Sequence, residues 1–375
     1  FGVAEHEEIE VGKLYGNYAD QTARVVYTPN TMHMLEPASS TVATLFLKEL
    51  MASTTAPNNI GASSLVFWIK DVAMLVAFLD FALLLFALVQ MLLDTKVFAG
   101  LVLDRETRYI GYQPKSKAWY AATVALTVIC GCLYIIGYQY YSNFPVVSKL
   151  GNAGGKSLWS VATAILLLIY MLVFHFTQGK KNQATAGDYG LATKDGKGFD
   201  FKYILKSILF AFTVFAIVYS IFVFYATYTG CNIHVVWFNN ELALLEPTKV
   251  RYKFIPILLF MYAFIFMNAM AQKTISGHEN NVKKEVIFTN LVGTLVMLLM
   301  FAAFVFALLV PHICLFAKNR GCFGAETLLG VSVGFWMINM SCYYLNKKTK
   351  SIWPGTITAA VLMTWMCIFA TGMNF

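Results

Sequence analysis

Charge is what this sequence has least of. Asp, Glu, Lys and Arg make up 13% of its 375 residues, against about 25% in soluble domains. With 58% hydrophobic residues, that scarcity excludes an ordinary soluble globular protein and points to a polytopic membrane protein. The absence of a Walker signature excludes an ATP-driven pump of that type. The histidines are scattered, with no H-E-x-x-H or paired-cysteine spacing, so neither a metal nor a cofactor is expected. The formal charge of +8 comes without a long basic run or an RNA-binding motif, so nucleic acid is not an expected partner. No internal repeat with a period of about 20–50 residues is evident. The chain opens on Phe1 with no basic leading segment, which predicts no signal peptide here and a further portion upstream in a longer chain.

Long apolar runs are what it does have. About eight are long enough, or nearly so, to cross a bilayer core of about 30 Å: Val72–Leu93, Ala118–Tyr138, Leu158–Phe176, Tyr203–Tyr225, Phe254–Ala271, Val286–Val310, Ala325–Leu345 and Ile352–Gly372. The fifth carries Pro256, and the seventh carries Glu326, Asn339 and two glycines. Phe67, Trp68, Trp119, Trp159 and Trp353 flank these runs, as aromatic residues do at membrane interfaces. The bilayer is therefore the expected partner. Lys and Arg crowd the connectors after the first, third, fifth and seventh runs, for example Arg105 and Arg108, Lys180 and Lys181, Lys273, and Lys347. The other connectors hold fewer, among them Lys149, Lys156 and Lys249. By the positive-inside rule the odd connectors are cytoplasmic, and residues 1–64 lie outside, with a plasma-membrane location expected.

The front of the chain differs. Ala23–Thr28 has strand composition, Pro29-Asn30 is a turn signal, and His33 follows. Ser39 and Ser40 are N-cap candidates for a helix in which Val42, Leu45, Phe46 and Leu50 recur at helical spacing. Upstream stand Glu5, Glu7 and Glu8. An acid, then a strand, then a histidine ahead of a helix is the order in which the later triad members of an α/β-hydrolase occur. There the histidine works as general base and acid, and the carboxylate orients it. No serine in a G-x-S-x-G pattern is expected in this chain. Residues 51–65 are small, polar and Pro/Gly-bearing, a linker between residues 1–50 and a membrane domain over 66–375.

The run YGNYADQTARVVYTPNTMH followed by a helix resembles the end of an α/β-hydrolase domain. Together with SLVFWIKDVAML, HVVWFNNELALLEPTKVRYKFIPILLFMYAF and LNKKTKSIWPGTITAAVLMTW, it is similar to bacterial membrane-bound α/β-hydrolase-like proteins, found mostly in Firmicutes. The resemblance implies that the chain is the C-terminal part of a membrane-anchored serine hydrolase acting on an ester or acyl substrate. It implies His33 as catalytic base and Glu5 as the acid, with Glu7 and Glu8 as alternatives, and a nucleophile upstream. The expected fold class is mainly α: a polytopic helical membrane bundle preceded by the C-terminal piece of an α/β-hydrolase domain. The alternative is a transporter or lipid-handling module, with residues 1–60 as an accessory remnant.

Within the bundle, Asp80 is the sole charge of Val72–Leu93; it is a functional-site candidate as an intramembrane carboxylate, and the favoured alternative is an Asp that faces the bundle interior, neutral or bonded to a Ser, Thr or Tyr of another helix. Cys130 and Cys132 are expected as small core residues. Cys314 and Cys322 are candidates for an extracytoplasmic disulfide.

Overall fold

The computed structural model describes residues 8–31, 36, 39–54, 61, 63, 67–151, 153–192, 198–230, 233–234, 241–278, 281, 283–288 and 328–368. These are mainly helical and fall into two compact units, Phe1–Val76 and Ala77–Phe375.

In the first unit, helix α1 (Ser40–Ser53) starts where the sequence placed it. The Ser39 hydroxyl accepts from the Val42 N–H at 3.3 Å, satisfying a first-turn donor that has no partner within the helix. Ahead of it, Tyr15 and Arg24 exchange both backbone hydrogen bonds, at 2.8 and 2.7 Å, and the Gly12 N–H donates to Val26 at 2.8 Å. The strand expected over Ala23–Thr28 is not formed. Its backbone carries the isolated bridge from Arg24 to Tyr15 and the bond that Val26 accepts from Gly12, and no continuous ladder. The facing segment turns at Gly12, whose φ is +81°. Strand composition needs a long neighbour to pair with, and here the neighbour turns away.

The second unit is built of α2 (Phe67–Leu93, entered from the first), α3 (Lys117–Tyr140), α4 (Ala153–Phe174), α5 (Phe201–Thr229), α6 (Pro247–Gln272), α7 (Leu328–Thr349) and α8 (Trp353–Ile368). Two short strands, β1 (Ile233–His234) and β2 (Glu241–Leu242), pair antiparallel between α5 and α6. Among the described residues, five helices are long and apolar enough to cross a membrane: those spanning Val76–Leu93, Lys117–Asn143, Ala153–Gly179, Phe201–Thr229 and Pro247–Gln272. The chain is on this basis an integral membrane protein. Pro256 does not interrupt α6, which runs through it. The expected run Val286–Val310 lies outside the described residues after Phe288. The eighth expected run, Ile352–Gly372, is helical from Trp353 to Ile368 in α8, and its last residues lie outside the described ones.

Two tryptophans organise the core. Trp365 of α8 meets Phe81 of α2 and Phe215, Tyr219 and Phe222 of α5 edge-on, with centroids 5.5 to 6.4 Å apart. Its Nε1–H donates to the Ala243 carbonyl at 3.0 Å. Trp159 of α4 packs on Tyr134 of α3, Phe264 of α6 and Phe335 of α7, and donates to the Cys130 carbonyl at 2.7 Å. Every residue of α8 from Pro354 to Ile368 is buried. A helix apolar on all sides has no reason to keep a face in solvent or lipid, and α5, α6 and α7 pack around it. Glycines set the closest approach: at Gly155 of α4 a Cβ would lie 2.7 Å from the Tyr138 ring of α3, and at Gly137 it would lie 2.8 Å from the Gly155 carbonyl.

Candidate functional site

Of the residues that the hydrolase resemblance singles out, His33, Glu5 and Glu7 lie outside the described residues, and Glu8 is exposed. The Glu49 carboxylate of α1 accepts hydrogen bonds from the Tyr18 hydroxyl and, at 2.6 Å, from the Tyr27 hydroxyl. Those bonds tie α1 to the segment that carries Tyr18 and Tyr27. They also hold the Glu49 carboxyl below its ordinary range and push the Tyr18 hydroxyl up to about 12. A cavity of about 550 Å³ opens between that segment and α1, lined in part by Leu14, Val25, Phe46 and Leu50. None of the described residues from Glu8 to Thr54 is buried.

A five-letter match to G-x-S-x-G does occur, at Gly330–Val331–Ser332–Val333–Gly334. It lies inside α7, with helix on both sides. A nucleophile elbow needs a strained strand-to-helix turn that lifts the serine clear of the backbone, and a continuous helix supplies none. Gly334 serves packing: a Cβ there would lie 2.3 Å from the Met366 methyl of α8.

Asp80 does not face the bundle interior. It is exposed on the outer surface of α2, beside Val76, Leu79 and Leu83, which are exposed too. It sits about one turn inside the start of the apolar window Val76–Leu93, near enough to the interface for its carboxylate to reach water. Lys156 corrects the opposite way. The sequence places it in a connector, yet α4 begins at Ala153, and Lys156 is 1% exposed, within electrostatic range of Cys367 on α8. The glycine pair Gly154-Gly155 masked the helix start in a hydropathy reading. Cys130 is buried as expected, whereas Cys132 is exposed. Cys314 and Cys322 lie outside the described residues.

The best-defined polar constellation was treated in the sequence only as orienting charge. The connectors after α2, α4, α6 and α7 meet at one end of the second unit. Arg105 donates to the carbonyls of Ala192, at 2.9 Å, and Lys350. Arg108 donates to Asn182 and Gln183 carbonyls at 3.0 and 2.8 Å and lies 3.4 Å from the Asp188 carboxylate. Trp119 Nε1–H and Tyr112 N–H donate to the Ile275 and Thr274 carbonyls, each at 2.9 Å. Trp353 Nε1–H donates to Leu191 at 2.9 Å. The Glu285 carboxylate is buried and accepts from the Gly277 N–H at 2.9 Å and the Tyr343 hydroxyl at 3.0 Å, with His278 Nδ1 3.6 Å away. Lys273, just past α6, has its ammonium pulled down to about 8 by burial and by the neighbouring Lys347 and Arg105 charges. No family model, curated protein or solved structure matches the chain. Among the described residues no group of His, Cys, Asp and Glu is arranged to hold a metal ion.

Proposed function

We propose that this chain is the membrane-embedded portion of a membrane-anchored serine hydrolase acting on an ester or acyl bond. Residues 1–50 then furnish the end of its catalytic domain, with His33 as general base and Glu5, Glu7 or Glu8 as the orienting acid. One observation carries this reading. Helix α1 has complete local structure, with a Ser39 cap and Glu49 tied to Tyr18 and Tyr27, yet Phe46 and Leu50 stay 65% and 44% exposed and none of the described residues from Glu8 to Thr54 is buried. Locally finished helices with an uncovered apolar face belong to a larger core, and the last helix of a hydrolase domain packs on a sheet that these residues do not contain. An acyl transfer requires a nucleophile and an oxyanion hole; both are assigned to the portion upstream. In the same reading the bundle has eight spans, with odd connectors cytoplasmic in a plasma membrane and residues 1–64 outside.

A fluorophosphonate probe applied to the longer natural chain tests it. Covalent labelling that His33→Ala abolishes, with folding intact, is the expected result. A chain that resists labelling, or a variant that labels equally well, sinks it.

The second reading, a transporter or lipid-handling module, has Lys156 in its favour, because an ionisable group buried among spans is a functional candidate by default. Against an aqueous path along α8 stand its threonines: Thr356, Thr358 and Thr364 return their hydroxyls to the carbonyls of Ile352, Pro354 and Ala360 at 2.6 to 2.7 Å. Hydroxyls satisfied within their own helix do not line a water file. Lys156→Met distinguishes the readings, since it leaves fluorophosphonate labelling unchanged if the bundle is an anchor.

A further inference from the structure

Where the connectors after α2, α4, α6 and α7 meet, a cavity of about 30 Å³ lies among Arg108, Tyr109, Asp188, Lys273, Lys347 and neighbouring backbone. At about 10–15 Å³ of such space per water, it admits two or so oxygen-sized groups. Its electrostatics are lopsided. Arg108, Lys273 and Lys347 line it, and Arg105 acts on Lys273 from alongside. The carboxylates close by are already engaged: Asp188 accepts from the Thr185 N–H and hydroxyl at 2.9 and 2.8 Å as well as meeting Arg108, and Glu285 is held by Gly277, Tyr343 and His278. Neither Lys273 nor Lys347 has an ion pair among the described residues. The two ammonium groups face one space whose lining carboxylate, Asp188, is already engaged by Arg108 and Thr185, and like charges so placed raise each other's energy. An anion entering the space reverses the sign of that term.

We propose that this cavity binds a phosphate group, with Lys273 and Lys347 as its charged ligands and Arg105 and Arg108 reinforcing the field. Phosphate fits on three counts. Its oxygens only accept, and the cavity offers ammonium and guanidinium donors. Its size suits entry of the oxygens with the ester remainder outside. The cavity also stands just past Gln272, the last residue of α6, and against the last turns of α7, and basic pockets at the ends of membrane helices are a known recognition mode for anionic headgroups. A free phosphate offers the same chemistry from the aqueous side. The site is independent of the hydrolase reading.

The intact chain in phosphatidylcholine nanodiscs, with and without phosphatidic acid, tests the proposal by native mass spectrometry and thermal unfolding. Retained phosphatidic acid adducts and a raised Tm are expected. In Lys273→Gln/Lys347→Gln the affinity falls at least about tenfold, as for the loss of a charge-assisted bond. Lys348→Gln, whose side chain is exposed and outside the cavity, keeps it. If inorganic phosphate competes, the site takes the soluble anion; if it does not, the site takes the headgroup. Equal retention of phosphatidic acid and phosphatidylcholine, or a double variant that binds undiminished, overturns the proposal. Should the double variant misfold, Lys347→Gln alone is read by the same criteria.

Discussion

The Arg105 guanidinium donates to the Lys350 carbonyl across 245 residues of sequence. Lys350 forms the turn between α7 and α8 with a φ of +57°, a left-handed conformation that costs a non-glycine residue about 1–2 kcal/mol. Arg105 holds that turn from outside while its other nitrogen holds Ala192 at 2.9 Å. Arg105→Ala is expected to lower unfolding stability by about 1–3 kcal/mol, the range for stranding partly buried acceptors. Arg105→Lys recovers little, because one ammonium does not span both carbonyls. Thermal unfolding in nanodiscs measures this, and a change below about 0.5 kcal/mol removes Arg105 from the account.

Close approach of α3 and α4 depends on two glycines. In Gly155→Ala the added methyl meets the Tyr138 ring at 2.7 Å. Overpacking of that kind costs about 1–3 kcal/mol. The same substitution at Gly198, where a Cβ meets nothing within 4 Å, is a packing control, although its φ of +76° adds backbone strain there. A stable, fully folded Gly155→Ala protein contradicts the helix spacing described above.

Lys273 makes stability depend on pH in a defined direction. Its ammonium titrates near 8 in the folded chain and at 10.5 when free of these neighbours. Between those values the unfolded chain binds the proton and the folded chain does not, so stability rises as pH climbs from about 8 to about 10. Tyr189, pushed up to about 12 by burial, acts with the opposite sign, but only above its ordinary value near 10. Lys273→Met flattens the rise. A profile in the variant that matches the parent argues against the depressed lysine.

Asp80→Leu reports on which side of α2 the carboxylate lies. On the outer, lipid-directed surface the substitution removes a charge that has to reach the interface, and stability is expected to hold or increase by up to about 2–3 kcal/mol. A loss beyond about 1 kcal/mol means that Asp80 has a partner in the bundle.

Much of this was legible along the chain. Hydropathy is a property of consecutive residues, so the first five apolar runs reappear as helices with their ends displaced by a few positions, and Ser39 announced the cap of α1 correctly. The same local signals misled where the answer depended on a neighbour. Ala23–Thr28 has strand composition but finds only Tyr15 and Gly12 to bond with. Gly330–Gly334, a G-x-S-x-G match absent from the sequence reading, lies in the helix α7, where it makes no elbow. The catalytic assignments to His33 and Glu5 rest on resemblance and stand as the proposal made for them.

What the sequence determined by itself is therefore the membrane character of the chain, most of its spans, and the crowding of cations in alternate connectors, since each follows from composition over a short window. Only the tertiary structure decided that α8 is the central helix, that Lys156 is buried while Asp80 points outward, and that Arg108, Lys273 and Lys347 line one space with Arg105 alongside. Burial and electrostatic partnership are set by which helices lie side by side, and residues as far apart as Arg105 and Lys350 carry no mark of one another in the linear order.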